Sequence, residues 1–207
     1  MAVAPRNKQG RRRSEINDQS SSDGLFPSGF GKPEVIARVC DAAFGKPLVN
    51  NVLRGHVVEA IIALALEPGW TWCSADYASH DFERDDLRLE VKQSSYRQSW
   101  ETGPNVKISP GFDVKARKGR WEGSTFIPEP GRAAHLYILA YHGVRDDTAD
   151  HRDPLQWAFY VIPTSQLPPV ARIGLGPVRR ITEAVGIREL ADRVAVVARR
   201  VGNNPVA

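Results

Sequence analysis

Residues 81–100 read DFERDDLRLEVKQSSYRQSW, and the alternation in the middle of this stretch predicts a β-strand with one buried face. Successive side chains of a strand point to opposite sides of the sheet. A register shift of one residue would bury charged side chains, so the aliphatic residues fix the pairing. The buried face carries Leu87, Leu89 and Val91, and the polar face carries Arg88, Glu90 and Lys92, continued by Ser94 and Tyr96 if the strand extends.

A hairpin can bring a second carboxylate against this strand. Residues 84–86, Arg-Asp-Asp, have the composition of a turn. A hairpin closed there places Asp81 opposite Glu90, and the backbone carbonyl of Val91 adds a third hard oxygen ligand of the kind that Mg²⁺ prefers. Asp76 is the alternative first carboxylate, and Asp81 is favoured because its hairpin is shorter. Taken alone, a Glu-x-Lys pair is more typical of a solvated strand face.

Glu59 lies in a run of aliphatic residues that predicts a largely buried helix. A buried carboxylate without a partner is costly, so Glu59 requires either a metal ion or a salt bridge, for instance to Arg54. Both interpretations stay open. His56 is one helical turn from Glu59, and His80 adjoins Asp81, so both histidines are candidates to lie beside the site.

The remaining periodicities predict an α/β fold, that is, a mixed α+β sheet flanked by helices. The spacing predicts helices from Pro33 to about Gly45, from Asn50 or Asn51 to Leu66, and from Thr182 to Arg200. It predicts further strands at residues 70–72, 135–141 and 157–162. The acidic loop 145–153 is expected to be a solvated hairpin tip, and residues 173–176 a turn.

Composition limits the class of protein. The chain has 207 residues, of which 42% are hydrophobic and 25% charged, which is typical of a globular domain and excludes a wholly disordered chain. We expect a disordered basic tail over residues 1–28 and one folded domain over residues 29–207. The net charge of +4 is compatible with nucleic-acid binding.

The longest apolar run, residues 60–66, is too short to span a bilayer, and no apolar stretch follows the basic N-terminus. We therefore expect a cytoplasmic protein without membrane contact. Cys40 and Cys73 have no spacing typical of a zinc site, which favours two buried or half-buried thiols in a reducing compartment.

Taken together, these residues resemble a known superfamily. Arg54, Gly55 and Glu59 give R-G-x-x-x-E on a helix, Asp81 follows, and residues 90–92 give E-V-K on a core strand. This order is similar to the PD-(D/E)XK, or restriction-endonuclease-like, nucleases. EVKQSSYRQSW also resembles a family of bacterial proteins that carry EVKSSAYLQSW, and the likeness spans roughly residues 50–180.

Three positions depart from those patterns. No proline precedes Asp81, Gln93 stands where the closer family has serine, and His135 stands where relatives tend to carry an acidic residue. Because of His135, the chain lacks the additional acidic residue that relatives tend to carry there. Asp81, Glu90 and Lys92 are unaffected by this departure.

The resemblance implies a Mg²⁺-dependent phosphodiester hydrolase, a DNA endonuclease of a restriction or defence system, with Mn²⁺ as a substitute metal and RNA as an alternative substrate. It implies that Asp81, Glu90, the Val91 carbonyl and Glu59 hold metal, and that Lys92 assists the attacking water. A homodimer or partner subunits of a defence system are also expected. The alternative is a catalytically inactive nucleic-acid-binding or assembly subunit with the same fold, in which a basic side chain neutralises Glu59.

Four residues are further candidates to contact nucleic acid: Tyr96, Gln98, Arg179 and Arg180. Trp100 is also considered for that role, although we expect it to fill the core. Arg172 lies near Arg179 and Arg180 and is likewise a candidate to contact a nucleic-acid backbone.

Overall fold

A computed structural model of the chain describes residues 30–73, 79–100, 108–122 and 124–202. The chain forms two compact units, Met1–Ala43 and Phe44–Ala207. The predicted tail over residues 1–28 lies outside the described residues, as does Asp76. Within the described ranges, no helix has the length and hydropathy of a membrane span.

The first unit contributes most of one helix, and the second contains the remaining helices and all the described strands. In chain order these are α1 Lys32–Phe44, α2 Arg54–Leu66, β1 Thr71–Trp72, β2 Phe82–Arg84, β3 Leu87–Ser95, β4 Gly111–Asp113, β5 Arg120–Glu122, β6 Thr125–Ile127, β7 Leu136–His142, β8 Trp157–Pro163, β9 Arg172–Gly174, α3 Leu175–Ile181 and α4 Ile187–Gly202.

The second unit is built on a mixed five-stranded sheet with the order β1-β2-β3-β7-β8. β1, β2 and β3 are antiparallel, β3 pairs in parallel with β7, and β8 returns antiparallel to β7. Two small sheets, β4–β9 and β5–β6, accompany it. The predicted class, a mixed α+β sheet flanked by helices, is confirmed.

Two apolar cores lie on opposite faces of this sheet. On one face, Leu89 and Val91 of β3 belong to the same buried cluster as α2 and α4 residues such as Val58 and Val194. On the other face, Leu139 of β7 joins a cluster with residues of β4, β9 and α3. Every residue of β7 is buried, which explains why its sequence, LYILAYH, lacks a clear alternation.

The strand predicted over residues 87–92 is confirmed and extends to Ser95, because all residues from Leu89 to Ser95 find partners on β7. The polar face of β3 looks toward the second core, since Glu90 pairs with Tyr137. The candidate site residues therefore lie at the margin of a packed layer.

Several predicted boundaries are wrong. α2 begins at Arg54 because the Asn50 side chain accepts the N–H groups of Val52 and Leu53, at 2.8 and 3.0 Å, in a turn before the helix. α4 begins at Ile187, since Val185 instead pairs with Phe159. Residues 173–176 are the end of β9 and the start of α3 rather than a simple turn.

Two burial expectations are also wrong. Trp100, expected in the core, is 65% exposed, because β3 ends at Ser95 and Trp100 lies in the turn beyond it. The acidic loop is a solvated tip only in part: Asp146 and Asp147 are exposed, but His151 is fully buried and Asp150 accepts the N–H of Leu48 at 3.0 Å.

Candidate functional site

The predicted hairpin is present and orients Asp81. β2 and β3 pair from Phe82 with Leu89 to Arg84 with Leu87, and Asp85 in the turn adopts the left-handed conformation with φ of 52°. One carboxylate oxygen of Asp81, Oδ2, accepts the backbone N–H of Val91 at 2.6 Å. Asp81 is thereby anchored to the strand that carries the other site residues, and Oδ1 accepts no described hydrogen bond.

Glu90 and Lys92 form an ion pair on the polar face of β3, with side chains that are 17% and 30% exposed, respectively. Burial and the charge of Asp81 raise the pKa of Glu90 to about 7, although Lys92 opposes the shift. Burial alone would lower the pKa of Lys92, but its interactions with Glu90, Asp81 and Asp113 together outweigh burial and raise that pKa. Lys92 therefore stays protonated, whereas Glu90 loses its proton at a higher pH than an ordinary glutamate.

Glu59 approaches this group from α2. Its Oε2 accepts a hydrogen bond from the indole Nε1 of Trp72 at 3.2 Å, and burial and the charge of Asp81 raise its pKa. The charge of Glu59 in turn contributes to the raised pKa of Glu90. Within the described residues, Glu59 has no ion-pair partner.

The salt bridge from Glu59 to Arg54 that the sequence left open is not formed. The Arg54 guanidinium donates to Gln93, to Asn51 at 2.8 Å and to Gln98 at 3.3 Å. It ties the start of α2 to β3. Exposed His56 lies close enough for its charge to lower the pKa of Glu59, as expected for a neighbour of the site.

The donor set suits a hard divalent cation. Three carboxylates, Glu59, Asp81 and Glu90, surround one ammonium group, so negative charge is in excess, and oxygen ligands are what Mg²⁺ takes. Hydrogen-bonded carboxylates such as Asp81 are typical of ligands held by outer partners. In the described ranges the three do not converge within 4.8 Å as a set, so Glu90 would have to turn away from Lys92 to complete a metal shell.

Asp81, Glu90 and Lys92 open into a cleft of about 480 Å³. Six basic and four acidic side chains line it, so the lining carries a net positive charge despite the carboxylates. Lys115, Arg117 and Arg120 contribute to the wall that faces β3, and Trp121 lies beside them. Glu59 is not part of the lining; it acts on the site from the α2 side.

Internal hydrogen bonds hold this basic wall in place. The guanidinium of Arg132 donates to the carbonyl oxygens of Val114 at 2.6 Å and Pro168 at 2.6 Å, and that of Arg88 donates to Ala133 at 2.7 Å. These two arginines therefore brace the cleft. Arg117 pairs with Asp113 at 2.8 Å, and both are more than half exposed.

Sequence reasoning missed the basic wall. The signal was present: residues 114–120 read VKARKGR, which places four basic residues within six positions, directly before the half-exposed Trp121. Asp113 was missed as well; it lines the cleft, and its charge contributes to the raised pKa of Lys92.

Other predicted contacts lie elsewhere. Tyr96 packs under Arg145, Gln98 donates to the carbonyl of Ser95, and Arg179 donates to the hydroxyl of Tyr160 at 3.2 Å. Neither these three residues nor Arg180 lines the cleft, so their role in nucleic-acid binding stays a prediction. His135 accepts the backbone N–H of Arg88 at 3.0 Å, which gives this departure from the family pattern a structural role at the start of β3.

No protein-family model matches the chain, and no curated protein matches it. The chain is similar over 60% of its length to a solved bacterial homing endonuclease, I-Ssp6803I, of which 77% is covered, at 20% sequence identity and a TM-score of 0.34. A likeness at this level does not establish a shared function.

Proposed function

We propose that this protein is a metal-dependent nuclease, a phosphodiester hydrolase that acts on DNA through Glu59, Asp81, Glu90 and Lys92. The observation that carries the proposal is the half-buried Glu90–Lys92 pair, which lies beside the anchored Asp81 and opens into a cleft with a basic wall. Carboxylates and positive charge in one cleft suit a substrate that is itself a polyanion.

The acidic residues account for the metal requirement. Asp81, Glu90 and the Val91 carbonyl would hold Mg²⁺, or Mn²⁺ in its place, with Glu59 as a further ligand or as an anchor for water. When bound, such an ion polarises a phosphodiester and lowers the pKa of a coordinated water.

The basic residues of the cleft account for a nucleic-acid substrate, which is negatively charged. The Lys92 ammonium, which stays protonated, orients the attacking water and offsets negative charge that develops on the phosphate. Lys115, Arg117 and Arg120 contribute to the net positive charge of the cleft, which suits a nucleic-acid backbone. The resemblance further implies an endonuclease that serves restriction or defence as a homodimer or with partner subunits, and we include this setting in the proposal.

The inactive-subunit alternative requires a basic side chain that neutralises Glu59. In the described part of the chain, the indole of Trp72 holds Glu59 instead, and Arg54 is occupied by Gln93, Asn51 and Gln98. A carboxylate without an ion-pair partner among the described residues favours the enzyme, since such a group is costly in a protein that does not use it.

The test is a cleavage assay with plasmid, linear and single-stranded DNA and with RNA, in Mg²⁺, Mn²⁺ or EDTA. We expect metal-dependent cleavage that Lys92→Ala reduces by roughly 10² or more. Lys118→Ala is the matched control, because this exposed lysine lies in the same basic run but outside the cleft lining. If no substrate is cut and Lys92→Ala binds DNA as the wild type does, the subunit alternative replaces the enzyme.

A further inference from the structure

Three side chains of types that can bind a metal ion lie together near the end of β1 and the start of β2. The ligand atoms of Cys73, His80 and Glu83 all lie within 4.8 Å of one another. Cys73 follows β1 directly, and its backbone N–H donates to the carbonyl of Asp81 at 2.8 Å, so the antiparallel ladder holds the two chain segments together at this point. The cluster is therefore placed by backbone pairing.

We propose that Cys73, His80 and Glu83 form a second metal site, one that binds Zn²⁺ or a similar transition-metal ion. Thiolate, imidazole and carboxylate are the ligands that Zn²⁺ takes, whereas Mg²⁺ avoids sulfur. This site is distinct from the oxygen ligands Glu59, Asp81 and Glu90 and does not depend on the proposed nuclease activity.

The spacing of the three ligand atoms is close to that of a zinc site. Ligand atoms at 2.0–2.3 Å from a tetrahedral Zn²⁺ are about 3.6 Å apart, so small side-chain rotations close the present spacing. The Glu83 side chain is 52% exposed and has room to move. Three protein ligands leave a fourth position for water or for another group.

The surroundings of His80 match those of a metal-bound histidine. Its Nδ1 lies 3.2 Å from the hydroxyl of Ser79, and its Nε2 lies 3.4 Å from Oε2 of Glu83. Histidine ligands usually donate one ring N–H to an outer partner and bind metal through the other nitrogen. With its Nδ1 proton directed at Ser79, His80 could bind an ion through Nε2, which already faces the Glu83 carboxylate oxygen.

The spacing explains why the sequence did not reveal the site. The ligands follow Cys-x₆-His-x₂-Glu, which matches no paired CxxC or HxxxH pattern, and sheet pairing rather than proximity along the chain brings them together. A bound ion would cross-link Cys73, at the end of β1, to His80 and Glu83, which flank Asp81.

Cobalt substitution tests the proposal. The full-length protein is stripped with EDTA, exchanged into chelator-free buffer and titrated with Co²⁺ while its absorption is recorded. We expect one equivalent to produce a sulfur-to-cobalt charge-transfer band together with tetrahedral visible bands, and Zn²⁺ to displace both. Cys73→Ser should abolish the charge-transfer band, whereas Cys40→Ser, the matched control at the other free cysteine, should retain it.

Two further variants distinguish this site from its neighbours. Ser79→Ala should weaken Co²⁺ binding about tenfold, since outer partners of ligating histidines contribute that much. Asp81→Asn should leave the band intact, because the Asp81 carboxylate belongs to the proposed nuclease site. A wild-type protein without the band, or a folded Cys73→Ser variant that keeps it, overturns the proposal. Cleavage in Mg²⁺ by the same preparations is scored separately, so either proposal can fail alone.

Discussion

At Glu59, burial and the nearby Asp81 oppose ionisation, and Trp72 supplies one hydrogen bond in compensation. We predict that Glu59→Gln raises the free energy of unfolding of the metal-free protein at pH 8, because it removes a charge that raises the pKa of Glu90 while an amide oxygen can still accept from Trp72. We also predict that it lowers cleavage at least tenfold, by analogy with other outer metal partners.

The measurement pairs urea unfolding with the cleavage assay. Glu67→Gln is the control, because Glu67 is exposed at the end of α2 and should change neither quantity. Opposite changes in stability and activity are typical of functional residues. A parallel loss of both in Glu59→Gln would instead make this carboxylate a structural residue.

Part of the site was predictable at the residue scale for a local reason. Asp81, Glu90 and Lys92 are set by strand alternation and a two-residue turn, both of which are encoded within a dozen positions. The basic wall was not predictable in this way, since Lys115 follows β4 and Arg120 begins β5, and both strands have three residues, too few to show a period. Pairings such as β4 with β9 join residues about sixty positions apart.

At the scale of elements, the turn between β2 and β3 sets the register of the site. Asp85 has φ of 52°, a region that Asp tolerates but β-branched residues do not. We predict that Asp85→Val lowers the free energy of unfolding by roughly 1–2 kcal/mol. Chemical denaturation measures the change, with Asp86→Val as the control at the exposed neighbour without positive φ. Equal effects at the two positions would contradict the assignment.

The β5–β6 hairpin presents an aromatic pair beside the cleft. Trp121 and Phe126 meet edge to face at 5.4 Å, and both are 46% exposed. We predict that Trp121→Ala weakens binding of single-stranded DNA by about 1–3 kcal/mol, the usual contribution of a base stacked on an aromatic ring. Fluorescence anisotropy with labelled oligonucleotides measures it.

Trp100→Ala is the control for that experiment, since Trp100 is also exposed but does not line the cleft. A larger effect at Trp100 than at Trp121 would place the nucleic-acid surface near the end of β3. That outcome would favour the original prediction for Tyr96 and Gln98.

At the scale of the whole molecule, two buried histidines link stability to pH. His142 and His151 meet at 4.9 Å between ring centres, and burial, followed by the charge of His142, lowers the pKa of His151 to about 4. The charges of Arg54 and Asp150 act on His151 with opposite signs. The contact between His142 and His151 was not predictable from the sequence, because it depends on the long acidic loop folding back against Asn50 and Ser95.

The sign follows from proton uptake. Below its ordinary pKa of 6.5 the unfolded chain binds a proton that folded His151 does not bind until about pH 4, so stability falls as pH falls through this window. We predict a loss of roughly 3 kcal/mol from His151 between pH 7 and 4. Urea unfolding across this range measures it. His151→Gln should flatten the dependence and exposed His56→Gln should not; equal slopes in all three proteins would contradict the assignment.

Metal binding by the whole protein separates the enzyme from an inactive subunit. A ligand that binds the folded state alone stabilises it by about 2.7 kcal/mol at a concentration 100 times its Kd. We predict that Mg²⁺ or Mn²⁺ raises the thermal midpoint of the wild type, because each ion relieves repulsion among Glu59, Asp81 and Glu90, and that EDTA reverses the shift. Asp81→Asn should abolish the gain, whereas Glu83→Gln, which alters the proposed zinc site, should retain it. If neither ion changes the thermal midpoint of the wild type, the three carboxylates repel one another without binding a metal. Lys92 would then serve as their structural counter-charge.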